Sequence, residues 1–373
     1  MRNIENYQTL VIKVGSAVLT NACNASLDRG NFCRLVEMLA RLRAEHKRVV
    51  LVTSGAVALG RSLMGMEKPD RRRSLPKLQA LAAIGQSLLM QYYENEFRHY
   101  GQKVAQILLT RDDLEHRTRF ANAKRTLATL LELGVVPIIN ENDSITTDEI
   151  RFGDNDALAA RVAIMVRADL LVVLSDIDAI YTADPKVEPE AKPIYECKAM
   201  DESLDSYIGQ TKSSVGSGGM LTKLEAARMA ALSGISTIIL NGKNPDNLRS
   251  GLNLKAGTML MACEQAQRQH KLWLLSLNPH GRLFCDDGAY CAVYRQGKSL
   301  LPKGILRVEG NFSEGEAVEL CGEDGKAFAR GITHYSDADI NCIKGQHSSE
   351  IHRIIGYHVS DTVVHRDDLV LLQ

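Results

Sequence analysis

No run of about 20 apolar residues occurs anywhere in this 373-residue chain, so no membrane-spanning helix is expected. The opening segment, MRNIENYQTLVIKVG, has no apolar stretch ahead of its first strand pattern, and a signal peptide is not expected either. Eight cysteines are scattered from Cys23 to Cys342 without one C-x-x-C pair. That spacing argues against a zinc ribbon and a secreted disulfide scaffold, and it fits reduced cytoplasmic thiols packed as small apolar groups. Charge of one sign is not in excess: Lys+Arg and Asp+Glu are both 45. A protein that binds polyanions over its whole surface is therefore excluded, although a local basic patch is not. The P-loop spacing G-x-x-x-x-G-K-[ST] and the nucleophile elbow G-x-S-x-G are both missing. Internal repeats and low-complexity tracts are missing too.

What is present is an ordinary globular composition, 45% hydrophobic and 24% charged, in a chain long enough for two or three domains. The first 260 residues alternate strand and helix patterns. Strands are expected at 9–14, 48–53, 104–109, 135–140, 170–175 and 237–240. Helices are expected at about 29–45, 75–98, 119–133, 156–166 and 220–233. Apolar runs such as VVPII and DLLVVLSD suit strands buried on both faces. The alternation predicts an α/β sheet with helices on both sides, whose ligands sit beyond the carboxyl ends of the strands. After about residue 260 the texture changes. Residues 261–277 read as a polar linker. From 278 onward short strand-like runs are punctuated by glycines, which predicts a small β-rich barrel or sandwich.

Six segments carry the candidate chemistry. GSGGMLTK, Gly216 to Lys223, leads glycines and hydroxyls into a helix and a lysine. Glycine lets the backbone approach a polyphosphate, and a helix N-terminus offers free N–H groups; a flexible loop is the bland alternative. VIKVGSAVLT places Lys13 inside an apolar strand, where it either leans toward the carboxyl end to meet an anion or faces solvent at a sheet edge. VLVTSGAVALG puts Ser54, Gly55 and Ala56 at a helix start, as donors to a carboxylate or phosphate or as a plain cap. PIINENDSI gathers Asn140, Glu141, Asn142 and Asp143, suited to a zwitterionic ligand or to a polar turn. In FGDNDAL, Asp154, Asn155 and Asp156 share capping and ligand-facing roles that spacing does not assign. In VVLSDIDAIYTADP, Ser175 and Asp176 end a strand, and IYTADP reads as a short turn or hairpin.

Two lysines, helix starts and glycine loops at strand ends suit phosphoryl transfer, which needs spread negative charge neutralised and its reactants held in line. An ionised carboxylate acceptor, with a pKa near ~4.3, needs no general base. The lack of a candidate catalytic histidine fits a kinase that forms an acyl phosphate.

These segments, in this order and spacing and together with QILLTRDD, resemble the amino acid kinase family, and within it the glutamate 5-kinases. The likeness runs from about residue 8 to the end; KSLLPKGILRVEGNFSEGEAVEL resembles a PUA module. It implies a three-layer α/β/α sandwich on a mainly parallel sheet over residues 1–260. A small β-barrel-like PUA domain follows over 278–373. The implied reaction is ATP-dependent phosphorylation of the γ-carboxylate of L-glutamate, first step of proline biosynthesis, with proline as inhibitor. Lys13 and Lys223 would stabilise the moving phosphoryl group, and Asp156 would orient them. Ser54, Gly55, Asn140, Asp143 and Asn155 would bind glutamate, Asp143 as an ammonium partner. Lys13, Gly15, Ser16, Ser175, Asp176, Ser217, Gly218, Gly219, Met220, Leu221, Thr222 and Lys223 would bind ATP. Mg²⁺ would bridge the phosphates, with no protein ligand assignable. A dimer or tetramer in the cytoplasm is implied, with no membrane association. Ser16 and Ser175 stand where the family commonly has Thr, and both keep the hydroxyl.

A same-fold kinase acting on another carboxylate, a carbamate or a nucleoside monophosphate is the first rival; NENDS and the C-terminal module weigh against it. An RNA-binding or RNA-modifying protein is the second, and the mixed charge of the tail, from Asp337 to Asp368, weighs against that.

Overall fold

The strand β1 (Thr9–Val14) is buried along its whole length, and its side chains divide between the two faces of a sheet. Leu10, Ile12 and Val14 join one apolar cluster and Val11 joins the other. The same period of two runs through β2 (Arg48–Val52), β4 (Val136–Glu141), β5 (Leu170–Ser175) and β9 (Ser236–Asn241). One cluster is covered by α2 (Arg29–Ala44), α3 (Ala56–Leu63) and α4 (Leu75–His99). The other is covered by α6 (Arg117–Glu132), α7 (Asp154–Met165) and α9 (Met220–Leu232). The result is three layers, α/β/α, and each fully buried Val, Leu or Ile side chain stabilises them by about 1.5–3 kcal/mol.

This computed structural model describes residues 7–21, 24–66, 74–145, 154–183, 187–209, 219–243, 256–263, 271, 274–275 and 277–372. Its main sheet has the order β3-β4-β2-β1-β5-β9-β10-β8, with β3 at Val104–Leu109, β10 at Thr258–Met261 and β8 at Glu196–Lys198. Every pairing is parallel except β9 with β10. The chain moves from β1 toward β2, β4 and β3, then returns through α7 to β5 on the far side of β1. The order therefore reverses between β1 and β5, the place where open α/β sheets bind ligands.

The expected strands and helices form within a residue or two of their predicted ends. Ile180–Tyr181 pairs antiparallel with Pro193–Ile194, so IYT does open a hairpin; Asp184 and Pro185 lie outside the described residues. Strands β8 and β10 were not expected, since three- and four-residue edge strands carry no readable alternation. The chain divides into two units, Met1–Glu264 and Gln265–Gln373. The second holds a mixed five-stranded sheet around Leu283, Val318, Leu320, Ala329 and Val364, and no described helix in it exceeds seven residues. Packing explains some but not all thiols. Cys285 and Cys321 are buried, and burial pushes the Cys285 thiol up to about 12, whereas Cys342 is exposed.

Helices α3 and α4 meet at backbone distance. A Cβ on Gly85 would stand 1.8 Å from the Ala56 carbonyl oxygen, and one on Gly60 would stand 2.0 Å from that of Leu81. No flexible side chain can yield there; the helices themselves must part. Gly85→Ala is expected to destabilise the first unit by about 1–3 kcal/mol, read as a lowered urea midpoint. An unchanged midpoint would show that this contact is loose.

Candidate active site

Lys13 lies on β1 between β2 and β5, opposite Val52 and Val173, and only 5% of it is exposed. The solvent-facing edge alternative is thereby excluded. Its odd position turns it to the face covered by α7 and α9. There its ammonium lies 2.6 Å from Asp156 Oδ1, and Lys223 Nζ lies 3.3 Å from Asp156 Oδ2. Thr222 donates its hydroxyl to the same Oδ2 at 3.0 Å. Asp156 and Lys223 sit in the first turns of α7 and α9, and both are buried. Burial alone would raise the Asp156 carboxyl. The charges of Lys13 and Lys223, with hydrogen bonds from Lys13 and Thr222, outweigh it and hold the group below the usual carboxylate range. Burial lowers the Lys13 ammonium, as does the Lys223 charge, against the pull of Asp156. Two cations share one buried carboxylate, with the Asp176 charge also acting on Lys13, and two lysines held together in this way suit an anionic ligand.

Asn155, one residue earlier, faces a second network. Its Nδ2 donates to Ser54 Oγ at 2.9 Å and to Asn140 Oδ1 at 3.1 Å. Asn140 Nδ2 donates to Gln86 Oε1 at 2.8 Å, and Gln86 Nε2 to Gln106 Oε1 at 3.4 Å. Beside this chain of amides opens a cleft of about 680 Å³, lined among others by Gln86, Gln106, Glu141, Asn142 and Asp143. Thr53, wholly buried, shares a hydrogen bond of 2.9 Å with the hydroxyl of Tyr93 beneath the Ser54 turn.

Three helices start here on glycine caps that no side chain satisfies: Gly15 before the short α1 (Ser16–Leu19), Gly55 before α3 and Gly219 before α9. Only Gly55 needs its glycine conformation, with φ +100°. Gly219 has φ −61°, and a Cβ there would meet no described residue within 4 Å, so its backbone conformation does not call for glycine. Gly15 donates its N–H to Leu174 O at 3.1 Å, tying the β1 turn to the end of β5. Ser175 ends β5 and donates to Asp176 Oδ1 at 3.1 Å.

The structure thus brings together Lys13, Asp156, Thr222 and Lys223, and separately Ser54, Asn140 and Asn155, the two groups meeting at α7. Asp143 lies on the cleft wall. Ser16 is half-buried, Met220 begins α9 and Leu221 is 52% exposed. Ser217 and Gly218 lie outside the described residues. Sequence reasoning missed Gln86, Gln106 and Tyr93. Gln86 had a signal: a glutamine in register with the buried Ala82, Leu89 and Tyr93 of α4. At the end of β9, Asn241, which donates to Asp178 Oδ1 at 2.6 Å, was also missed.

Residues 8–241 match the amino acid kinase family, and residues 281–355 match the PUA domain. The chain is 46% identical over 371 residues to a glutamate 5-kinase of Geobacter sulfurreducens, covering 99% of each chain. It is 48% identical over 369 residues to the glutamate 5-kinase of Pseudomonas entomophila, covering 98% of each. Among solved structures, carbamate kinase from Giardia lamblia bound to AMP-PNP superposes with a TM-score of 0.51 at 14% identity, covering 69% of this chain and 99% of that one; it shares the fold. With a buried lysine pair at the carboxyl edge of its parallel sheet and this full-length kinship, the chain is an enzyme of the amino acid kinase family, a kinase related from end to end to the glutamate 5-kinases.

Proposed function

We propose that the chain transfers the γ-phosphoryl group of ATP to the γ-carboxylate of L-glutamate, releasing ADP and L-glutamyl 5-phosphate. The observation that carries this is the buried Lys13–Asp156–Lys223 cluster, whose two ammonium groups, held by one carboxylate, suit a transferring phosphoryl group. Kinship to glutamate 5-kinases selects the acceptor. An oxygen of the ionised γ-carboxylate bonds to the γ-phosphorus as the bond to the bridging oxygen breaks, and the electron pair leaves with ADP. No proton is moved, so no general base is required. Lys13 and Lys223 neutralise the phosphoryl oxygens. Asp156, ionised because its pKa is depressed, holds both ammonium groups in place.

Ser54, the Gly55 turn, Asn140, Asp143 and Asn155 are proposed to hold glutamate. Gly15, Ser16, Ser175, Asp176 and the segment from Ser217 through Gly218, Gly219, Met220, Leu221 and Thr222 to Lys223 are proposed to hold ATP. Mg²⁺ is proposed to arrive on the nucleotide, keeping most of its waters, and would supply neutralisation of phosphate oxygens there. The product is the first intermediate of proline biosynthesis; proline is proposed to inhibit at or beside the glutamate site, in a cytoplasmic homo-oligomer.

Trapping of the acyl phosphate with hydroxylamine tests the activity. Turnover is expected with L-glutamate and ATP, and not with N-acetyl-L-glutamate or L-aspartate, nor, followed by ADP release, with UMP. Lys223→Met is expected to lower kcat by about 10²–10³-fold; wild-type kcat in that variant would remove Lys223 from the chemistry. Lys13 must be cationic, so the rate falls as pH rises through its lowered pKa. Asp156→Asn removes the charge that supports that cation. The alkaline limb of its kcat–pH profile is therefore expected at lower pH than in the wild type. An unmoved limb would show that Lys13 does not govern it. A chain cut near residue 270 is expected to keep acyl-phosphate formation and change its response to proline, measured by inhibition curves. A folded truncation with no activity would overturn that division of labour.

A further inference from the structure

Asn31 is the third residue of α2 and only 2% exposed, on a helix whose Phe32, Leu35 and Val36 enter the core. Its amide has one possible polarity. It faces two backbone carbonyls, Val18 O at 2.8 Å and Gly242 O at 3.1 Å, and a carbonyl can only accept. The group between them is therefore the NH₂, and both of its hydrogens are used. Asn31 Oδ1 stays buried without a hydrogen-bond partner among the described residues, at a cost of about 1–3 kcal/mol. An amide that leaves its own oxygen unmet is a poor choice for packing alone. What it contributes is the bridge.

The bridge joins two segments at the point where the strand order reverses. Val18 lies in α1, and Gly242 is the first residue beyond β9. Both segments are tied to the end of β5 between them: Gly15 donates its N–H to Leu174 O at 3.1 Å, and Gly242 donates its own to Ser175 O at 2.7 Å. Their packing is equally close. A Cβ on Gly242 would stand 2.9 Å from both Leu174 Cβ and Val18 Cγ1. Asn31 is anchored in turn, since its N–H donates to Asp28 Oδ1 at 3.1 Å and the Asp28 N–H donates to Leu19 O at 2.8 Å. A ring of contacts thus runs from α1 through the end of β5 to Gly242, and Asn31 closes it back onto α1.

We propose that Asn31 is a positioning residue for the nucleotide, locking the turn that carries Gly15 and Ser16 to the end of β9 so that it keeps its place beside Ser175 and Asp176 when ATP binds. Asn31 itself meets no ligand in this scheme; it acts through the backbone it holds. The inference rests on the proposed ATP site and not on the identity of the acceptor.

The test reads ADP binding by isothermal titration calorimetry, with no acceptor present, alongside KM values and the urea midpoint. Asn31→Leu keeps the branching of the side chain and removes both donors. The Kd for ADP and the KM for ATP are expected to rise about tenfold, while the KM for glutamate stays within about twofold. A lowered urea midpoint with unchanged ADP affinity would make Asn31 a packing residue and overturn the proposal. Gly242→Ala puts the same question from the other side, and answers it if Asn31→Leu does not fold: its methyl displaces Val18 with Asn31 intact. It too is expected to weaken ADP. In the double variant the losses are expected to fall short of their sum, because both changes open one ring; fully additive losses overturn the shared mechanism. Wild-type enzyme that binds ADP yet phosphorylates no glutamate rejects the acceptor alone, and the ADP affinities still decide the role of Asn31. Wild-type enzyme that binds no ADP overturns both.

Discussion

One carboxylate holding two buried ammonium groups is the constraint on which the rest of this site depends. Asp156 reaches Lys13 on a central strand and Lys223 on a helix that begins 64 residues beyond it in sequence. Removing the carboxylate would leave two like charges close together in a dry setting, which is strongly unfavourable. Keeping it holds both ammonium groups at one point of the sheet edge, an arrangement that suits the phosphoryl group of the proposed reaction. Position in the fold makes this tolerable. Asp156 lies in the first turn of α7, where the helix dipole favours a carboxylate, and the cluster sits at the carboxyl edge of the sheet where the strand order reverses.

A second constraint places the amide network. Gly60 and Gly85 let α3 and α4 touch backbone to backbone, which fixes the Ser54 turn at one helix start and Gln86 on the other helix. Ser54 and Gln86 are then the two ends between which Asn155 and Asn140 are strung. The glycines contribute no chemistry. Their effect is distance: with a methyl at either place, the helices would separate by more than a hydrogen bond can follow.

Much of this was legible in the sequence, for identifiable reasons. The buried strands and the covering helices announce themselves by period, because a strand buried on both faces is apolar throughout and an amphipathic helix is not. Lys13 was legible because a lysine amid TLVIKV is costly unless an anion compensates it. Edge strands β8 and β10 were not, since so few residues carry no pattern. Gln86 was not singled out because a lone glutamine in a helix looks like surface until its neighbours are known to be buried. Spacing alone places Asn155 and Asp156 together at the start of α7 without dividing their roles; the family resemblance implied a division, and the positions of Ser54, Asn140 and the two lysines show which neighbour each one meets.

That division has a consequence for catalysis. Consecutive helical residues point about 100° apart, so Asn155 and Asp156 meet two different sets of side chains from one turn. The first meets Asn140 and Ser54, the second two ammonium groups. In the proposed reaction these would be the acceptor side and the phosphoryl side, and backbone geometry would set the distance between them. In-line transfer asks little of a protein beyond such placement and charge, and holding two reactants in fixed relation can supply about 7–11 kcal/mol of the barrier. In the proposed reaction a single helix start carrying both Asn155 and Asp156 would be an economical way to provide it.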